Sequence, residues 1–299
     1  MSMRIGIQTF FDGQQREPLN DYVAGVSRIL EERGFGAVWM SEHVVTFRDY
    51  DPAYPYPYAD DGRPPAFLSE FGMLDPMSAL TAIACHSSTL RLCTGIAILP
   101  QRNPVYFAKM GTAIDLLSGG RFVAGIGLGW SAQEFAATNT PFAHRGARAD
   151  EYVEVLKSLW RNEEKAFEGE HYTMPACIQL PLPAQHPHPP LYFGGESRPA
   201  LRRVARHGQG WVGFRTLPDA LASRLAILRE LLDEEGRTLN DIDIVISPGE
   251  HACDADMLAR YAELGASEVV VICFDRDLDG FTRQADHLAR TLVEPAARL

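Results

Sequence analysis

Apolar residues along the chain gather in two kinds of stretch. One kind is short, rich in β-branched and aromatic residues, and in places continuously apolar, as in VAGIG and EVVVICF. Unbroken apolarity suits strands covered on both faces, the condition of a parallel sheet. The spacing predicts eight strands: Arg4–Thr9, Ala37–Ser41, Leu90–Leu99, Phe122–Gly127, Leu191–Gly194, Gly210–Phe214, Ile242–Ser247 and Glu268–Phe274. The other kind is longer and amphipathic. YVAGVSRILEER (Tyr22–Arg33) places apolar residues at helical intervals and stops at Gly34, a common residue just past a helix end. Asp75 is placed to cap a helix opened by Pro76, through Cys85. Further helices are predicted over Pro104–Leu117, Asp150–Trp160, Arg198–His207, Pro218–Glu235, Ala255–Leu264 and Leu278–Val293. Eight strand–helix units in succession predict an α/β fold, a closed (β/α)8 TIM barrel forming a single domain over residues 1–299.

Two proline-dense stretches interrupt the rhythm. Phe47–Phe71, with YDPAYPYPYADDGRPP, follows the second strand, and Asn162–Pro190, with LPLPAQHPHPP, precedes the fifth. Proline removes a backbone donor and fixes φ, so both read as long excursions rather than regular elements. Such loops are surface excursions or binding loops and lids. The first leaves the end of a strand, and so emerges at the C-terminal mouth, where barrels carry their active sites.

Composition narrows the function. A formal charge of −11 argues against nucleic acid as partner, because such binding relies on neutralising phosphates with Lys and Arg. A small anionic cofactor stays compatible, since backbone amides at a helix start can hold phosphate. The five cysteines show no CxxC spacing, which fits a reducing compartment. The opening MSMRIGIQTFF is no charged leader with an apolar run, and no stretch reaches the ~18 apolar residues of a membrane span. The expectation is a cytoplasmic protein that engages no membrane.

Four clusters carry candidate chemistry. Ser41-Glu42-His43 ends the second strand; His43 is an acid, base or donor near neutral pH, or a structural histidine bonded to a loop. Gly95, inside Cys93-Thr94-Gly95-Ile96-Ala97, marks a bulge or a close backbone approach, either to a ligand or through crowding in the barrel. Gly125-Ile126-Gly127-Leu128-Gly129-Trp130 lacks the third glycine of a dinucleotide fingerprint and follows the fourth strand rather than the first. Its small residues suit a flat ring lying against the strand end, with Trp130, Gln133 and Glu134 edging the pocket, or they merely turn the chain. Gly194-Gly195-Glu196-Ser197 opens a helix, either as a nest of N–H groups for phosphate or with Ser197 as a plain N-cap. The scattered histidines form no metal-ligand set, so no metal is expected.

Together, GFGAVWMSEH (Gly34–His43), LRLCTGIAILPQRNP (Leu90–Pro104), LLSGGRFVAGIGLGW (Leu116–Trp130), HRGARADEYVEVLKSLW (His144–Trp160) and PPLYFGGES (Pro189–Ser197) resemble the luciferase-like monooxygenase superfamily of flavin- and deazaflavin-dependent barrels. YPYPYADDGRPP (Tyr54–Pro65) and LPQRNPVYFAK (Leu99–Lys109) are similar to a subgroup that uses the deazaflavin coenzyme F420. The resemblance implies that His43 stands beside the cofactor ring and Glu42 contacts it. It implies a non-proline cis peptide at Gly95 and Ile96 that backs the ring, with Gly127, Gly129 and Gln133 lining ring and side chain. Gly194, Gly195, Glu196 and Ser197 would meet the phosphate. Trp130, the second candidate catalytic side chain, stands where the family's sugar-phosphate dehydrogenases carry a catalytic glutamate, and Leu128 stands where luciferases carry a phosphate-binding arginine. Neither specific activity therefore transfers. Tyr54, Tyr56 and Tyr58 are expected to wall the substrate pocket. The implied function is hydride transfer between F420 and a small organic substrate in a homodimer. The alternatives are an FMN-dependent monooxygenase and a cofactor-binding barrel without turnover.

Overall fold

A computed structural model describes residues 3–50 and 72–299. Strands β1 (Arg4–Thr9), β2 (Ala37–Met40) and β3 (Arg91–Thr94), the short β4 (Ala97–Ile98), then β5 (Phe122–Gly127), β8 (Leu191–Gly194), β9 (Gly210–Phe214), β10 (Asp243–Ser247) and β11 (Glu268–Ile272) all pair in parallel. β6 (Phe167–Glu168) and β7 (Thr173–Met174) stand apart as an antiparallel pair. The order runs β3-β2-β1-β11-β10-β9-β8-β5, and β5 pairs back with β3 through Leu92 and Phe122, so the cylinder is closed. β3 and β4 together make one stave, giving the eight-stave TIM barrel that the alternation predicts.

Helices α1 (Leu19–Glu32), α2 (Pro76–His86), α3 (Pro104–Ser118), α4 (Ala132–Ala137), α5 (Arg145–Trp160), α6 (Arg198–His207), α7 (Pro218–Glu234), α8 (Ala255–Glu263) and α9 (Leu278–Leu288) follow the strands. Six of their starts are set by side chains that take up free N–H groups. Asp75 accepts from Ser78 N at 2.9 Å, and Asn103, Ser131, Ser197, Asp254 and Asp277 cap α3, α4, α6, α8 and α9 in the same way. Among the described residues, no helix is long and apolar enough to cross a membrane.

Inside the barrel, Trp39, Cys93, Val123, Tyr192, Val245 and Val270 form a compact apolar layer. Beneath it, at the N-terminal strand ends, a polar plug closes the cylinder. Fully buried Glu268 accepts from Trp39 Nε1 (2.6 Å), Arg4 Nε (3.2 Å) and Arg91 Nη1 (3.4 Å). Arg91 also donates to the Tyr192 hydroxyl at 2.6 Å, and Tyr192 bonds Asp243.

The structure departs from the sequence pattern in several places, among them the short helix α4, which the pattern does not mark. The third strand, expected as unbroken Leu90–Leu99, is split: the Gly95–Ile96 peptide is cis, and β4 resumes against Ile126 and Gly127 before a 3-10 turn takes Leu99–Gln101. The Asn162–Pro190 excursion contains the β6/β7 hairpin, because alternating residues around Gly169 allow a tight return, with Gly169 N bonded to Tyr172 O at 2.9 Å. α5 begins at Arg145, ahead of the expected Asp150, following His144 in the left-handed region at φ 57°. The last helix gives way at Ala289–Val293 to a π turn.

Candidate active site

The mouth is built from the C-terminal ends of the strands, where alternate residues point inward. On β1 the inward Gln8 donates through Nε2 to Ser41 Oγ at 2.5 Å, and Ser41 Oγ donates to Gly95 O at 2.9 Å. Gly95 N in turn donates to Met40 O at 2.7 Å. The bulge between β3 and β4 is thus tied to the end of β2 through both backbone polar groups of Gly95. The Ile96 side chain then lies across the next staves. A Cβ at Gly127 would fall 2.2 Å from Ile96 Cδ1, and one at Gly194 would fall 2.6 Å from the same atom. These two glycines make room for Ile96 rather than leaving a bare strand end for a ring, so Ile96 itself forms the floor there.

His43 comes from the segment after β2. Its Nδ1 lies 3.1 Å from Glu134 Oε2, and Glu134 Oε1 accepts from Val44 N at 2.7 Å. Trp130 meets the imidazole edge to face, with centroids 5.9 Å apart. Tyr50 packs on Trp130 at 5.3 Å and Phe47 on Tyr50 at 5.5 Å, extending an aromatic wall. Burial pushes the Tyr50 phenol up from its usual range. Gln133 Nε2 donates to Asp49 O at 3.1 Å, holding the same segment against α4. Gly129 sits between β4 and α4, where a Cβ would be 2.7 Å from Ile98 Cγ2 and 2.8 Å from Phe135 Cε2.

Glu42 faces the helix layer side of this mouth. Its carboxylate accepts from Ile98 N at 2.6 Å and from Arg102 Nε at 2.6 Å, and Arg102 reaches on to the cap residue Asp75. Burial pushes the Glu42 carboxyl up, against the pull of Arg102 and the Ile98 N–H. Asp75 is only half enclosed; burial works on it in the same upward sense, but the Arg102 and Ser78 bonds outweigh it and hold Asp75 below the usual carboxylate range. The structure gives Glu42 the part of a bracket between β2, β4 and α2.

After β8, Gly195 O accepts from Trp211 Nε1 at 2.9 Å, and Ser197 Oγ accepts from Ala200 N at 3.4 Å as the α6 cap. Glu196 accepts from Thr216 Oγ1 at 2.5 Å and Arg224 Nε at 3.4 Å. Gly95, Ile96, Gly127 and Gly194 therefore meet through one side chain, and His43, Trp130, Gln133 and Gly129 meet around α4. Gly195, Glu196 and Ser197 continue the rim beyond Gly194. Tyr54, Tyr56 and Tyr58 lie outside the described residues. Reading the sequence missed Gln8, Tyr50 and Phe47; the aromatic content of the first excursion was the available signal for the last two.

A planar heterocycle fits this setting. His43 Nε2, beside the Trp130 ring, makes no hydrogen bond among the described residues. No group of three or more His, Cys, Asp or Glu among the described residues is arranged for a metal.

Comparison with known proteins agrees with this architecture. An uncharacterized protein of Mycobacterium tuberculosis is 28% identical over 275 residues, 90% of this chain and 93% of its own length. An FMNH2-dependent dimethylsulfone monooxygenase of Pseudomonas putida is 33% identical over 132 residues, covering 43% of this chain and 36% of its own. Among solved structures, the monooxygenase RslO1 of Streptomyces bottropensis superposes with TM-score 0.77 at 18% identity, covering 98% of this chain and 99% of that one. A coenzyme F420-dependent tetrahydromethanopterin reductase of Methanopyrus kandleri gives TM-score 0.76 at 15% identity, with the same coverage. These two likenesses speak for the fold. The profile that describes luciferase-like monooxygenases matches residues 3–289, nearly every stave and helix above, and the chain belongs to that family.

Proposed function

We propose that the protein is an oxidoreductase that holds coenzyme F420 at the barrel mouth and exchanges a hydride with a small, largely apolar organic substrate. The observation that carries this reading is the meeting of His43 with the Trp130–Tyr50–Phe47 wall just after β2, whose end is bonded to Gly95. The bound deazaflavin would supply the hydride chemistry; the protein would supply orientation, exclusion of water and proton handling. Ile96 would back the ring, fixed by the Gln8–Ser41–Gly95 chain. His43 would give or take the proton that accompanies hydride transfer, through Nε2. The aromatic wall and Ile272, 38% exposed at the end of β11, would enclose the substrate's apolar part. The amide N–H groups after Gly194 would meet the cofactor phosphate, with Ser197 already serving as cap.

An FMN-dependent monooxygenase is the second reading, favoured by the 33% identity to the FMNH2-dependent enzyme over 132 residues. Titration of the purified protein with F420 and with FMN, in both redox states, tests the two. Saturable F420 binding is expected; no binding of either at tens of micromolar overturns both readings. Substrate-dependent oxygen consumption with reduced FMN selects the second. Exposed Tyr106, Leu116 and Leu117 on the largely apolar α3 support a homodimer, and the five unpaired cysteines suit the cytoplasm. Sedimentation as a monomer would overturn the dimer.

A further inference from the structure

Glu134 is an enclosed acid bonded to His43: its side chain is 1% exposed, against 12% for the histidine. Among the described residues each oxygen has one partner, Val44 N–H for Oε1 and His43 Nδ1 for Oε2. Its own N–H donates to Ser131 Oγ at 3.2 Å, which holds the residue at the first turn of α4. An ionised carboxylate only accepts hydrogen bonds, so the hydrogen between the two side chains belongs to Nδ1. The edge of Trp130 against the ring restricts its remaining rotation.

We propose that Glu134 is the positioning residue of His43: it fixes the Nδ1–H tautomer and the ring orientation, which makes Nε2 the atom that exchanges a proton at the mouth. The destination of that proton rests on the function proposed above, but the tautomer does not. A carboxylate that only tied the segment after β2 to α4 would leave the tautomer indifferent to its chemistry. Glu134→Gln separates the two cases. Val44 N–H is a fixed donor and can pair only with the amide oxygen, which turns the amide NH2 toward Nδ1. Nδ1 must then accept, and the neutral ring carries its hydrogen on Nε2 instead.

The test is nitrogen-15 NMR of histidine-labelled protein without any cofactor, with His43→Gln used to assign the ring signals. At a pH where the ring is neutral, wild type is expected to show a pyrrole-type Nδ1 and a pyridine-type Nε2. Glu134→Gln is expected to exchange them, and Glu134→Asp to keep the wild-type pattern. With whichever cofactor binds, Glu134→Gln should lower kcat by about 10²-fold, the lower end for a misplaced proton-transfer group, with KM within about threefold. A wild-type ring with its hydrogen on Nε2 overturns the proposal by itself, even if the variant does not fold. An unchanged pattern in Glu134→Gln, or an exchanged pattern with unchanged kcat, overturns it too. If neither cofactor binds, the function reading fails while the spectra still decide the tautomer.

Discussion

Replacing His43 with Gln keeps a hydrogen-bonding side chain of similar reach but removes the titratable ring. Turnover should fall by about 10²–10⁴-fold with cofactor affinity nearly unchanged, the signature of a lost proton-transfer group. Stopped-flow reduction or oxidation of the bound cofactor measures it, and full turnover in the variant would exclude His43 from the chemistry. Other single residues leave their mark in acid. The bond from His207, with Lys157 adding to it, holds Glu154 down at about 2, and Asp75 is also held low. A carboxyl held below its unfolded value contributes stability that is complete above that unfolded value, near 4, and is lost as the pH falls through the folded one. Thermal midpoints should therefore drop between about pH 5 and pH 2, and Glu154→Gln should flatten the drop only slightly, because its side chain is 49% exposed and screened. Residue roles of this kind were only partly legible in the sequence. Ser41-Glu42-His43 stood out as a polar triplet at a strand end, but nothing in the triplet told that Glu42 would turn to Ile98 and Arg102 while His43 turned to Glu134. Those partners lie 56, 60 and 91 positions away, and only closure of the barrel brings them near.

Strands and helices were far more legible, since hydrophobic period and turn residues act locally. Arg4–Thr9, Phe122–Gly127, Leu191–Gly194, Gly210–Phe214 and Arg198–His207 stand with the bounds that their apolar runs and caps suggest. The split of the third stave was not legible beyond the hint of Gly95, because it depends on what crosses from neighbouring strands. β5 answers that bulge with glycines. A Cβ at Gly125 would lie 1.9 Å from Thr94 O, a backbone atom with no freedom to move aside. Gly125→Ala should thus destabilise by about 3 kcal/mol or more, beyond an ordinary overpacked site. Gly127→Ala meets only side-chain atoms of Ile96, Cδ1 and Cγ1, so it should cost less, and Ile96→Ala should relieve most of that cost in the double variant, a non-additivity that denaturant titrations can measure.

At the scale of the whole molecule, two polar assemblies sit at opposite ends of one apolar layer. Glu268 organises the lower one, with Arg4, Arg91 and Trp39 as its donors. Removing a buried acid strands its cations, so Glu268→Ala should cost about 3–5 kcal/mol of stability. Cofactor affinity should stay within about twofold, because the Trp39–Tyr192 layer separates the plug from the mouth; a parallel loss of affinity in folded protein would show that the ends are coupled. The seam of the cylinder has a consequence of its own. β5 holds β3 by Leu92 and Cys93 below the bulge and β4 by Ala97 and Ile98 above it, so Ile96 hangs from a link that closure does not depend on. The bulk at residue 96 can therefore change without unfastening the scaffold: trimming Ile96 would deepen the floor of the mouth while both rows of rungs stay joined.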